Sequence, residues 1–134
     1  MRNSKSTVLY QWFQEVWNEG REESIDKLMT GDANAHGLLA EGQPKGAEGF
    51  KIFYRNFKEQ FHDIEIDIED VILQDDMESA RTTVTAVDAA SRKKVKFTGI
   101  CMVKVSNGKI AEAWNNYDFL NMYQQLGHVL APQE

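Results

Sequence analysis

The hydrophobic period of this sequence changes near residue 61, and that change constrains the fold more than any other feature. Between Ala47 and Phe61 the aromatic residues are Phe50, Phe53, Tyr54, Phe57 and Phe61, the i, i+3, i+4, i+7, i+11 spacing of one helical face. From His62 the period is two: Ile64, Ile66 and Ile68 alternate with Glu65, Asp67 and Glu69, as in a strand with one buried face. The apolar phase then shifts to Val71 and Leu73, which predicts a bulge near Asp70 that bends the strand and curls the sheet. An aromatic helix followed by one-faced strands predicts the α+β class, with helices laid against a curved sheet.

The flanking segments fit that frame. Upstream, Leu9, Trp12, Phe13 and Val16 mark a helix behind a Ser6/Thr7 cap, with Asn18-Glu19-Gly20 as its stop. Ile25, Leu28 and Met29 predict a second, shorter helix ended by Thr30-Gly31, then a brief strand over 33–39 and a break at Gly42-Gln43-Pro44. Downstream, a turn at Gln74-Asp75-Asp76 leads into a strand over 77–87, and Ala89-Ala90-Ser91 reverses the chain. The run 94–105 puts Val95, Phe97, Cys101, Val103 and Val105 on one face and Thr98, Ile100 and Met102 on the other, so both faces are expected to be covered. Asn107-Gly108 is the signature of a type I′ hairpin, pairing 109–117 antiparallel with the preceding strand. A closing helix over 118–126 is expected to turn Phe119, Tyr123 and Leu126 inward and to stop at Gly127, giving the order ααβαββββα.

Length and charge exclude several functions. A chain of 134 residues has room for one domain, 1–134, with a core at about 8–127 that can enclose a small cavity. No stretch approaches the apolar length of a membrane span, and the polar MRNSKST start has no signal-peptide core. The single cysteine, Cys101, excludes an internal disulfide and suits a reducing compartment, the cytoplasm. It lies in a buried run and is expected to act as a small core residue. Fifteen basic against twenty-one acidic residues leave a net charge of −6, which repels nucleic acid and anionic lipid. No histidine pair has metal-ligand spacing, so no metal is expected.

The segments Lys94-Val95-Lys96-Phe97-Thr98-Gly99-Ile100 and Asn107-Gly108-Lys109-Ile110-Ala111-Glu112-Ala113-Trp114, followed by Asp118 and Gln125-Leu126-Gly127, resemble the C-terminal pattern of SnoaL-like polyketide cyclases. Gly46-Ala47-Glu48-Gly49-Phe50, Asp63, Trp17-Asn18 and His36 are similar to that family as well, so the likeness spans about residues 8–127. The resemblance implies a nuclear transport factor 2-like fold: a cone-shaped, curved antiparallel sheet wrapped around N-terminal helices, with an apolar pocket at its open end. It also implies a homodimer, to which the two-faced strand 94–105 adds support, and a cofactor-free cyclase that closes rings by intramolecular aldol chemistry.

In that family an aspartate at the position of Asp118 is the acid/base, which requires a pocket that keeps its carboxyl titratable. Trp114 and Phe57 would supply apolar surroundings, Phe53 would complete the wall, and His36 would offer a neutral imidazole to a substrate carbonyl. Asp118 also directly precedes a helix, where an aspartate caps and is held ionised, so acid/base and cap both stand as readings. His36 is equally readable as a structural histidine.

Trp114, Asn116, Asp118 and Glu112 share one face of a regular strand; Glu112 either pairs with Asp118 as a second carboxylate or bridges to Arg81 or Lys104. Arg81 and Thr83 on the neighbouring strand, with Thr98, Ile100 and Met102, complete the candidate substrate contacts. Two departures from the family pattern fall together: Asp88 stands where a histidine is common, and Ala89-Ala90-Ser91-Arg92 replaces a longer hairpin. Both change pocket volume and hydrogen-bonding complement. The functional expectation is a cyclase or isomerase acting on a small apolar, carbonyl-containing molecule; the alternative is a non-catalytic ligand-binding or dimerisation module of the same fold.

Overall fold

The computed structural model describes residues 4–38, 42 and 44–132. After a 3₁₀ turn at Ser4–Ser6, helix α1 (Val8–Trp12) is capped by Thr7, whose side chain accepts from the Tyr10 amide. The helix continues as a π-helical stretch, Phe13–Asn18, closed by a bond from the Glu19 amide to the Gln14 carbonyl. Gly20 at φ 68° ends it, as the sequence predicts. Asn18 then acts as a surrogate strand: its Nδ2 donates to the Ile66 carbonyl at 2.9 Å and its Oδ1 accepts from the Ile66 amide at 2.7 Å. Helix α2 (Glu23–Leu28) is one residue shorter than expected, because Met29 and Thr30-Gly31 already belong to strand β1 (Met29–His36). The strand ends at His36 rather than running on to Leu39, because the chain already turns at Gly37 (φ 88°) and Leu38; Leu39 itself and Gln43 of the predicted break lie outside the described residues.

Helix α3 (Gly46–Gln60) carries the aromatic stripe, and Phe61 opens strand β2 (Phe61–Gln74). Strands β3 (Met77–Asp88), β4 (Lys94–Ser106) and β5 (Lys109–Tyr117) follow, then helix α4 (Phe119–Gln125). The sheet order is β1-β5-β4-β3-β2, antiparallel throughout except for β1, which runs parallel to β5 at the edge. The register shift expected near Asp70 lies between Ile68 and Asp70; a second lies between His62 and Glu65, where Asp63 takes φ 52°. Asn107 and Gly108 both have positive φ, 52° and 77°, as a type I′ turn requires. The result is the expected mixed α+β architecture, with helices against a five-stranded, curved and unclosed sheet.

Helices cover one face of that sheet. Leu9, Phe13, Val16, Ile25, Phe50, Tyr54, Phe61, Val95, Val103 and Ile110 are all essentially buried there. The opposite face of β4 is open: Ile100 is 56% and Met102 45% exposed, so the expectation that both faces are covered does not hold within one chain. In α4 the buried residue is Met122, whereas Tyr123 turns outward and meets His128 edge-on at 5.6 Å. Phe119 and Leu126 are partly buried against the core as expected, and Met122 takes the fully buried position between them.

Candidate functional site

Between the covered face of the sheet and the helices lies a largely apolar cavity of about 40 Å³, open at one end. Its floor is made of small side chains, Ala35 of β1, Ala113 of β5 and Cys101 of β4, flanked by Val84, Phe97 and Val103. Trp12, Phe13 and Phe50 close the deep end, and all three are buried. At the open end the lining residues are half-buried: Trp17, Leu38, Phe53, Phe57, Ile64, Asn115, Tyr117 and Phe119. The aromatic stripe of α3 therefore serves two purposes. Phe50 and Tyr54 are core, while Phe53 and Phe57, one helical turn apart, form the wall beside the mouth.

Polar groups are few in this cavity. The Asn115 side-chain Nδ2 donates to the His36 backbone carbonyl at 3.0 Å, and no described residue donates to its Oδ1. Tyr117 lies across Gly99, its cross-strand partner; a Cβ at Gly99 would be built into the Tyr117 ring. The glycine thus creates the seat for the ring, and the ring covers the gap that the glycine leaves. Burial pushes the Tyr117 hydroxyl well above the usual tyrosine range, with the neighbouring Cys101 acting in the same direction and a hydrogen bond with Thr82 opposing both. Burial likewise pushes the Cys101 thiol up to about 12. Both groups are neutral at physiological pH, which suits an apolar lining.

Most of the residues singled out in the sequence stand on the opposite, outer face. Cross-strand register aligns Ile72, Ser79, Met102, Trp114 and His36 in one row over all five strands, and Asp70, Arg81, Ile100 and Asn116 in the next. His36 Nε2 lies 2.8 Å from Glu112 Oε2, and its ring stacks on Trp114 at 5.7 Å. Arg81 Nε bonds Asp70 Oδ2 at 2.7 Å, so the partner of Arg81 is Asp70 and that of Glu112 is His36. Arg81, Thr98, Ile100, Asn116 and Asp118 border an open groove of about 410 Å³ on this face. Thr83 is cross-strand neighbour to both Asp67 and Thr98. Asp118 is exposed and caps α4, its Oδ1 accepting from the Asn121 amide at 3.0 Å.

Trp114, Asn116, Glu112, Arg81, Thr83, Thr98, Ile100, Met102, His36 and Asp118 therefore do not line the cavity. The reason is the strand phase. On β5 the inward set is Ala113, Asn115 and Tyr117, because only small or flat side chains fit against the helices; the bulk of Trp114, which suggests an inward residue, is accommodated outside. Asn115, Tyr117 and Trp17 are the lining residues that sequence reasoning misses. Gly99 inside an apolar strand was the available signal, since such a glycine marks close approach by another group. Among the described residues no set of three His, Cys, Asp or Glu side chains is arranged to hold a metal.

A curved sheet closed on one side by helices over an apolar cavity defines the α+β class shared by nuclear transport factor 2 and ketosteroid isomerase. Solved structures of that fold superpose over nearly the whole chain. A candidate polyketide cyclase from Bacillus cereus is 35% identical with a TM-score of 0.78, covering 90% of this chain and 79% of its own. Another from Acidithiobacillus ferrooxidans is 25% identical with a TM-score of 0.80, covering 90% and 92%. IdmH from Streptomyces antibioticus, described as a candidate polyketide cyclase, is 21% identical with a TM-score of 0.80, covering 94% and 100%. The family model of SnoaL-like polyketide cyclases matches residues 7–126, and the chain belongs to that family. No curated protein matches the sequence.

Proposed function

We propose that this protein is a cyclase or isomerase that takes an apolar, carbonyl-containing molecule into the cavity between α3 and β5. The observation that carries this reading is the cavity itself: it is largely apolar, and its mouth is bordered by Tyr117 and Phe119, the two residues that bracket Asp118. In an intramolecular aldol closure, a proton leaves the carbon next to one carbonyl. That carbon bonds to a second carbonyl carbon of the same molecule, whose oxygen takes up a proton and becomes a hydroxyl. Asp118 is the proposed acid/base. Its Oδ1 is used by the Asn121 amide, while no described residue donates to the other oxygen, which can carry the proton. No oxidant or cofactor enters the balance.

The test is turnover of model polyketones by the wild type and by Asp118→Asn. Asparagine is as good a helix cap as aspartate but cannot relay protons. The expected result is an unchanged melting temperature with turnover lost; an unchanged rate would remove Asp118 from the mechanism.

One observation favours a second reading, a non-catalytic binding module. Among the described residues that line it, the cavity has no carboxylate and no imidazole, and Cys101 and Tyr117 there are held neutral. Tight ligand binding without turnover in either variant would select it. We also propose a homodimer through the outer face. Ile72, Ile100, Met102 and Trp114 are exposed together there, and two of the charges beside them, Glu112 and Arg81, are already paired within the chain with His36 and Asp70. A monomer mass by light scattering at micromolar concentration would rule this out. A lone thiol places the protein, on this reading, in the cytoplasm.

A further inference from the structure

We propose that the cavity selects ligands by size and accepts a single-ring or short-chain ketone or aldehyde but not a fused multi-ring one, with Trp17, Phe53 and Phe57 as the residues that set the limit. The inference rests on the reading that this cavity binds the substrate, and specifies which substrate it admits. A free volume of about 40 Å³ is room for only a few water molecules. Sites for drug-sized ligands run to about 300–1,000 Å³. The floor does not impose the limit, because Ala35, Ala113 and Cys101 are small. The space above them is filled from the helical side.

Those rings are interlocked. Trp17 meets Phe53 at 6.4 Å, Tyr54 at 4.9 Å and Phe57 at 5.6 Å, and Phe57 in turn stacks with Phe53 at 5.8 Å and reaches Phe61 at 4.8 Å. Both ends of this cluster are tied to the backbone. The Tyr54 hydroxyl donates to the Val16 carbonyl at 2.8 Å, and Asn18, next to Trp17, is clamped to Ile66. Swinging Trp17 aside to admit a second ring would break several ring contacts at once. Phe53 and Phe57 are half-buried at the mouth, so entry of a small ligand needs only a local shift of their exposed edges. The ligand's polar end belongs at Asn115, the half-buried amide of β5 at the open end, and its apolar body at the deep end.

The experiment is a binding series followed by tryptophan fluorescence and confirmed by calorimetry, with acetophenone, 2-acetylnaphthalene and 9-acetylanthracene as one-, two- and three-ring ketones. Buried apolar area alone would make the largest ketone the tightest binder. The expected order is the reverse, with acetophenone binding at least about tenfold tighter than 9-acetylanthracene, since a ring that does not fit cannot bury its area. Phe57→Ala should reduce or invert that ratio, and Phe57→Leu, a milder truncation, should move it in the same direction if the alanine variant does not fold. Wild type binding the three-ring ketone as tightly as acetophenone would overturn the size limit and leave the cavity reading intact. No binding of any ketone by wild type or either variant would overturn the cavity reading and the size limit with it.

Discussion

Glu78 is a buried carboxylate with no part in the proposed chemistry, and removing it should loosen the roof of the cavity. It sits on β3, is 8% exposed, and accepts from the Leu9 amide at 2.8 Å and the Val8 amide at 3.2 Å. Those are the first amides of α1, which have no partner within the helix. α1 carries Leu9 and Trp12 into the cavity wall. A hydrogen bond to a charged group contributes about 1.5–3 kcal/mol, and a buried donor left unpaired costs about 1–3 kcal/mol. The Val8 bond is only part-buried, so Glu78→Ala should cost about 3 kcal/mol in all. Taking the unfolding entropy as about 2.1 cal/mol/K per residue, a chain of this length should melt about 10 °C lower. Glu78→Gln keeps one carbonyl oxygen as an acceptor and should lose about half as much. Differential scanning calorimetry measures the shift, and amide exchange at Leu9 reports whether the local bond is the cause. A melting point within about 3 °C of wild type for the alanine variant, or unchanged protection of the Leu9 amide, would refute the capping argument.

Gly99→Ala should cost about 1–3 kcal/mol, because its Cβ has no room beneath the Tyr117 ring; combining it with Tyr117→Ala should cost less than the sum of the two single changes, as a denaturant double-mutant cycle would show. Cys101, with its thiol pushed up to about 12 by burial, should not react with a thiol-specific disulfide reagent at pH 8 in the native protein and should react fully in denaturant; rapid native-state labelling would contradict its burial. Asp88 is held below the usual carboxylate range by hydrogen bonds from the Ser91 hydroxyl and amide. A depressed folded-state pKa stabilises above the unfolded value near 4, and that contribution fades as pH falls below it. The stability gap between wild type and Asp88→Ala should therefore narrow between pH 6 and pH 3, and a gap that widens would reverse the assignment.

How much of this was legible in the chain depends on whether a local rule sufficed. The aromatic helix, the type I′ turn at Asn107-Gly108, the bulge by Asp70 and the stops at Gly20 and Gly127 are set by residues close together in sequence, and each lies where the pattern predicts. Elements failed at their junctions. Met29 continues the helical spacing of Ile25 and Leu28 yet starts β1, because pairing with Ile110 on β5 outweighs one more turn of helix. The candidate site was legible only where a helix supplied it: Phe53 and Phe57 line the cavity, while the strand candidates lie outside it. Alternation divides a strand into two faces without saying which face meets the helices, and Trp114 drew the wrong one inward.

The sequence by itself determined the order of elements, the fold class and, through its family pattern, the kind of chemistry to consider, because periodicity, turn residues and motif order are all encoded along the chain. Tertiary structure decided which face of β5 the helices cover, that Tyr117 rests on Gly99, and that Trp17 joins Phe53 and Phe57 in the wall. Each of these depends on residues tens of positions apart competing for the same volume, and close packing is settled only when every element is in place.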